Sequence, residues 1–116
     1  MTIDLQKIID YLELTVLTDK KDFSAVTPTE GYTSDLLSCV MTGAPHAGLW
    51  ITLQAHINIV AVAALLEISA VIITEGATPD ANTIKKANDE GITLLSSSAA
   101  SFSIAGKLWE MGIRGK

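Results

Sequence analysis

Two hydrophobic rhythms alternate along the chain, a helical spacing of three to four residues and short unbroken apolar runs, and their order predicts the elements. Leu5, Ile8, Ile9 and Leu12 fall at i, i+3, i+4 and i+7, so a helix is expected over roughly 3 to 12, with Thr2 or Asp4 to cap it. The β-branched stretches "LTVLT", 14 to 18, and "FSAVT", 23 to 27, read as short strands. After the turn-rich "TPTEGYT", Ser34 with Asp35 behind it opens a helix in "SDLLSCVMTG". Leu36, Leu37, Val40 and Met41 form its stripe, and Gly43 is placed to stop it in a left-handed conformation. "GLWITL", 48 to 53, is a strand apolar enough to be buried on both faces.

Asn58 is the expected cap of a third helix, "IVAVAALLE", which is apolar almost all round and must therefore be covered on more than one side. "AVIITEG", 70 to 76, reads as the central strand. Thr78 then Pro79 give a cap-and-proline start to a fourth helix, with Ala81, Ile84 and Ala87 inward and Gly91 at its end. "ITLLS", 92 to 96, is the last strand, and Ser98 or Ser101 begins a closing helix with Phe102, Ala105, Leu108 and Trp109 along one side. From about residue 23 strands and helices alternate with short connections, and no linker or repeat interrupts them. That order predicts one α/β domain over residues 1 to 116, a mostly parallel β-sheet flanked by helices on both faces.

Composition narrows the chemistry. The 116 residues are 48% apolar and carry a formal net charge of -5, with Lys and Arg scattered, so a nucleic-acid partner is not expected. The longest apolar run, Ile59 to Leu66, is far short of a membrane span, and the acidic start is unlike a signal peptide. A single cysteine, Cys39, agrees with a cytoplasmic location, and it is expected to be a buried, inert thiol. His46, His56 and Cys39 offer no paired spacing for zinc, and no metal or cofactor is implied. Trp50 and Trp109 read as core or interface residues.

In a parallel sheet every strand-to-helix loop lies at the carboxyl edge, where helices begin with free N–H groups and ligands gather. Those loops are "TPTEGYTSD", "TLQAHIN", "TEGATPD" and "SSSAAS". They offer Gln54, His56, Asn58, Thr74, Glu75, Gly76, Ser97 and Ser98 as candidate ligand-binding residues. Plainer readings stand beside these: Asn58 as a simple cap, His56 as a solvated turn residue, Glu75 as a solvated loop acid. The same rim carries Glu30, Asp35, Glu75 and Asp80 and no Lys within its loops, so a neutral or nucleoside-like group fits better than a triphosphate. P-loop, GxSxG and HExxH motifs are absent, and no catalytic residue is assigned. The competing enzyme reading uses His56 as general base with Glu75 or Asp35 to orient it.

With those residues in place, the chain resembles the DRTGG domain family over about residues 31 to 112. The likeness is carried by "GYTSDLLSCVM" and by "AALLEISAVIITEGATPDANTIKKANDEGITLLSSSAASF". At the family's TGG turn stand Thr74, Glu75 and Gly76, and "LQAHIN" stands where the family has its Asp-Arg pair. The resemblance implies a regulatory domain rather than an enzyme. Such domains accompany CBS domains in pyrophosphatases, occur in some phosphate acetyltransferases, and are similar to the amino-terminal domain of HPr kinase/phosphorylase. It also implies a homodimer near an adenine-nucleotide ligand, a dimer for which the all-round apolar helix 59 to 66 offers a surface. A ligand-free protein-interaction scaffold is the blander alternative.

Overall fold

The computed structural model describes residues 2 to 115. The elements are α1 (Leu5–Tyr11), β1 (Thr15–Val16), a 3-10 turn (Phe23–Ala25), β2 (Gly31–Thr33), α2 (Leu37–Gly43), β3 (Leu49–Thr52), α3 (Asn58–Leu65), β4 (Ala70–Ile73), α4 (Ala81–Asp89), β5 (Leu94–Ser96) and α5 (Ser101–Glu110). Their strands form one sheet in the order β1-β5-β4-β3-β2. β2, β3, β4 and β5 run parallel, and β1 closes the far edge antiparallel to β5, with Thr15 opposite Ser96. The expected fold class is therefore the observed one.

Burial explains the arrangement. All four residues of β3 and all four of β4 are buried, so both faces of the sheet must be covered. Leu49, Ile51, Ala70, Ile72 and Leu95 face α1 and α5 in one core, through Leu5, Ile8, Ile104 and Leu108. Trp50, Val71, Ile73 and Leu94 face α2, α3 and α4 in the other, through Val40, Ile59, Val60, Ala63 and Ala87. The helices linking β2 to β3, β3 to β4 and β4 to β5 thus share one face, and α5 alone of the later helices crosses to the opposite one. There it reaches back to the β2 edge, where the Gly31 N–H donates to Arg114 O at 2.9 Å. Among the described residues no helix is long and apolar enough to cross a membrane.

Several local expectations are corrected. The stretch 23 to 27 is not a strand: Ala25 and Val26 N–H groups bond Asp22 O and Phe23 O in a tight turn that buries Phe23 in the α1 core. The missing strand is β2, inside what reads as a turn, because a three-residue edge strand needs only one partner. α2 begins at Leu37, with Leu36 and Met41 exposed; Ser34 Oγ instead accepts the Leu36 N–H at 3.2 Å. Gly43 ends α2 without a left-handed backbone, and its bareness serves the Tyr32 ring, whose hydroxyl would lie 2.5 Å from a Cβ there. Cys39 is exposed, not buried. α4 is capped by Asp80 rather than by Thr78, and Gly91, at φ +72°, ends it as expected. On α5 the inward residues are Ile104 and Leu108, while Phe102 and Trp109 face solvent. Of the apolar residues of α3 only Ala61 and Leu65 are exposed, so most of its apolar surface is covered within the chain.

Trp50 is the largest fully buried side chain, and its indole N–H donates to Ser34 O at 2.9 Å, joining β3 to the loop after β2. Trp50→Ala should cost about 3–5 kcal/mol in urea unfolding, through cavity formation. Trp50→Phe should cost less, about 1–3 kcal/mol, much of it from stranding the Ser34 carbonyl.

Candidate functional site

The four parallel strands end at one rim, and each loop leaving it is held by side-chain bonds that the sequence supplies locally. After β2, Asp35 turns its carboxylate across to β3, accepting from Thr52 Oγ1 at 2.8 Å and from the Leu53 N–H at 2.9 Å. Gln54 reciprocates: its amide N–H donates to Asp35 O at 3.1 Å, and its backbone N–H donates to Thr52 Oγ1 at 3.0 Å. Gln54 and Asp35 are thus a clasp between two loops.

Ile57 is the cap residue of α3, and the side-chain acceptor at its start comes from His56 rather than Asn58. The His56 Nδ1 accepts the Asn58 N–H at 3.2 Å, and Asn58 is the first helical residue, exposed and without a side-chain cap bond. With Nδ1 accepting, a neutral ring carries its proton on Nε2. His56 lines a crevice of about 420 Å³ together with Ala55, Ile57, Thr78, Asp80, Asn82 and Thr83. Asp80 Oδ1 accepts from both the N–H and the hydroxyl of Thr83 at 2.8 Å. Those bonds, the backbone one foremost, hold its carboxyl below the usual carboxylate range, and the field of His56 adds to them.

The loops after β4 and β5 are laced together. Thr74, fully buried, shares a 2.6 Å hydrogen bond with the Ser101 hydroxyl. The N–H groups of Glu75 and Gly76 donate to Ala99 O and Ser97 O, at 2.9 and 3.1 Å. Glu75 adopts φ +61°, a conformation that favours glycine, and its carboxylate accepts the Ser101 N–H at 2.9 Å. A side-chain anion from the same chain therefore occupies the start of α5, where the helix would otherwise present a free donor.

Because α4 and α5 depart to opposite faces, their loops diverge above this lacing, and a second crevice of about 450 Å³ opens there. Gly76, Ala77 and Thr78 line one side, Ser96, Ser97, Ser98 and Ala99 the other, and Glu13, Thr15 and Lys107 close it. Thr78 lines both crevices.

The structure thus brings Gly76, Ser97 and Ser98 to one crevice and His56 to the neighbouring one. Gln54 lies in the clasp toward β2, Asn58 faces solvent, and Thr74 and Glu75 form the lacing beneath. Sequence reading passed over Lys107 and Glu13. The first lies two turns into α5, and the second precedes β1, whose antiparallel pairing carries its start to this rim. Asn82 and Thr83 lie inside the first turn of α4 rather than in the loop before it, so the loop sequence carries no signal for them. Among the described residues no group of three His, Cys, Asp or Glu is placed to hold a metal ion.

No protein-family model matches the sequence, and a search of curated proteins returns no match. A solved structure is similar: the CBS and DRTGG domains of the regulatory region of a pyrophosphatase from Clostridium perfringens, complexed with its activator diadenosine tetraphosphate. It superposes with a TM-score of 0.72 at 19% identity, over 89% of this chain and 44% of that one. The present chain thus spans less than half the length of that structure. The fold is DRTGG-like, in agreement with the resemblance read from the residues.

Two outcomes follow from the loop chemistry. Glu75→Gly loses the bond to Ser101 but relieves the left-handed backbone, so its stability should stay within about 1 kcal/mol of the wild type, whereas Glu75→Ala loses the bond without that relief and should cost about 1–2 kcal/mol. Urea unfolding of both variants reads the difference. Asp80, whose folded carboxyl is depressed, stabilises fully above the ordinary carboxylate range, and its contribution disappears as the pH falls through the lowered folded value. In Asp80→Asn that segment of the stability-versus-pH curve should flatten.

Proposed function

We propose that this chain is a non-catalytic regulatory module, working as a homodimer, that binds a small polar ligand of nucleoside type in the crevice between the ends of β4 and β5. The observation that carries the reading is the divergence of α4 and α5 from adjacent parallel strands, which opens a crevice lined by serine hydroxyls, glycine backbone and one lysine. Glu13 and Lys107 contribute one charge of each sign, so a neutral ligand or one bearing a single anionic group suits the crevice better than a polyphosphate. The similar C. perfringens structure, bound to an adenine-nucleotide activator, supports a regulatory role for the fold.

Binding is favoured over catalysis by what the polar groups already do. The His56 Nδ1 lone pair is committed to the Asn58 N–H, and the two acids that would orient it are engaged elsewhere, Asp35 by β3 and Glu75 by α5. A general base needs a lone pair within reach of a substrate proton, and this ring would have to give up its cap to supply one. A second reading, a protein-binding scaffold without ligand, draws on the exposed Leu36, Leu53 and Ile57 beside the β2 and β3 ends.

Calorimetric titration with adenosine, AMP and ATP tests the reading. Adenosine or AMP should bind, and Lys107→Ala should weaken AMP roughly ten- to a hundredfold while leaving adenosine nearly unchanged. His56→Ala should not alter either affinity, since it lines the neighbouring crevice. Silence from the wild type across the series would reject nucleoside binding and leave the scaffold.

A further inference from the structure

Phe102 is 89% exposed and Trp109 50% exposed, although a chain this size has few aromatic side chains to spare for solvent. Both lie on the outer face of α5, seven residues and so about 10 Å apart, and between them sit Ala105 and Gly106. Nothing lies within 4 Å of where a Gly106 Cβ would be. Beside Trp109 a cleft of about 420 Å³ opens toward the β2 edge, with apolar walls from Pro45, Ile51, Ala105 and Leu108. The face therefore carries an aromatic knob at one end, a hollow beside an aromatic at the other, and small residues midway.

We propose that α5 packs antiparallel against α5 of a second copy, about a two-fold axis passing between Ala105 and Gly106, so that Phe102 of each copy enters the other's cleft beside Trp109. This rests on the homodimer reading above and assigns its surface. A two-fold contact requires one patch to complement itself, and positions 102 and 109 exchange about a centre at 105.5. The axis falls where the helix is slimmest, which allows close approach.

Charge agrees with the register. The chain has 13 acidic residues to 8 basic, yet residues 101 to 115 carry Lys107 and Arg114 against Glu110 alone, so this face escapes the general repulsion. Arg114 stacks over Trp109 at 4.9 Å and makes no ion pair among the described residues. Antiparallel pairing brings the end of α5 that carries Arg114 toward the start of the other copy's α5, where the Glu75 carboxylate accepts the Ser101 N–H.

Sedimentation velocity over a concentration series tests the surface. The wild type should be a dimer, and Phe102→Glu should be a monomer with an unchanged circular dichroism spectrum, its dissociation constant raised on the order of a hundredfold or more. In a Cys39→Ser background, Gly106→Cys should form a disulfide-linked dimer on mild oxidation, since the two Cα atoms approach bridging distance at the axis. A wild type that is monomeric overturns both this surface and the homodimer reading. A dimer that survives Phe102→Glu, or that fails to cross-link through Gly106→Cys, overturns this surface alone.

Discussion

The structure depends on two short strands, Leu49–Thr52 and Ala70–Ile73, that are buried on both faces. Their backbone groups are satisfied only by neighbouring strands, and their side chains only by helices above and below, so the sheet has to be sandwiched. Three successive crossovers place α2, α3 and α4 on one side. The opposite side would lie bare over Leu49, Ile51 and Ile72 unless α1 and the last helix covered it. The crossing of α5 to that side is thus a requirement of burial. The crevice at the ends of β4 and β5 is its geometric consequence, opened where the chain must reverse the face it covers.

Glu75 shows local preference yielding to position. A glutamate at φ +61° is disfavoured by its own Cβ, yet from that backbone its carboxylate reaches the Ser101 N–H and ties the β4 loop to the start of α5. A glycine there would be relaxed and would leave the donor to solvent or to a ligand. With glutamate at this position the loop supplies its own anion to the start of α5.

What the sequence made legible was the doubly buried interior, because burial on both faces leaves continuous apolar runs that few other structures produce. β3, β4 and α3 were readable this way, and the stop of α4 at Gly91 was readable from the left-handed backbone that glycine allows. Edges were not: β2 hides among turn residues because an edge strand is constrained on one side only, and Phe23 fills the core from a turn. Three helix starts were misplaced, at Ser34, Asn58 and Thr78, because a competing group lay close by in each case. Asp35 was drawn to β3, while His56 and Asp80 offered better placed acceptors. On α5 two apolar stripes compete, and periodicity alone does not say that Ile104 and Leu108 outrank Phe102 and Trp109 for the interior. Lys107 escaped for a different reason: long helical side chains lean toward the helix start, so a residue well inside a helix can reach the rim.

α5 borders the polar crevice, the core and the apolar cleft at once. Its first turn is fastened to the β4 loop through Ser101, one flank supplies Lys107 to the polar crevice, and the other, through Ala105, Leu108 and Trp109, walls the apolar cleft at the β2 edge. Ile104 and Leu108 anchor it in the core between them. A ligand that pulled Lys107 inward would act on the same rigid rod whose outer face presents Phe102. Differential affinity of a ligand for two α5 positions is then the quantity that would link crevice to interface, and reciprocity requires that dimerisation alter ligand affinity by the same factor.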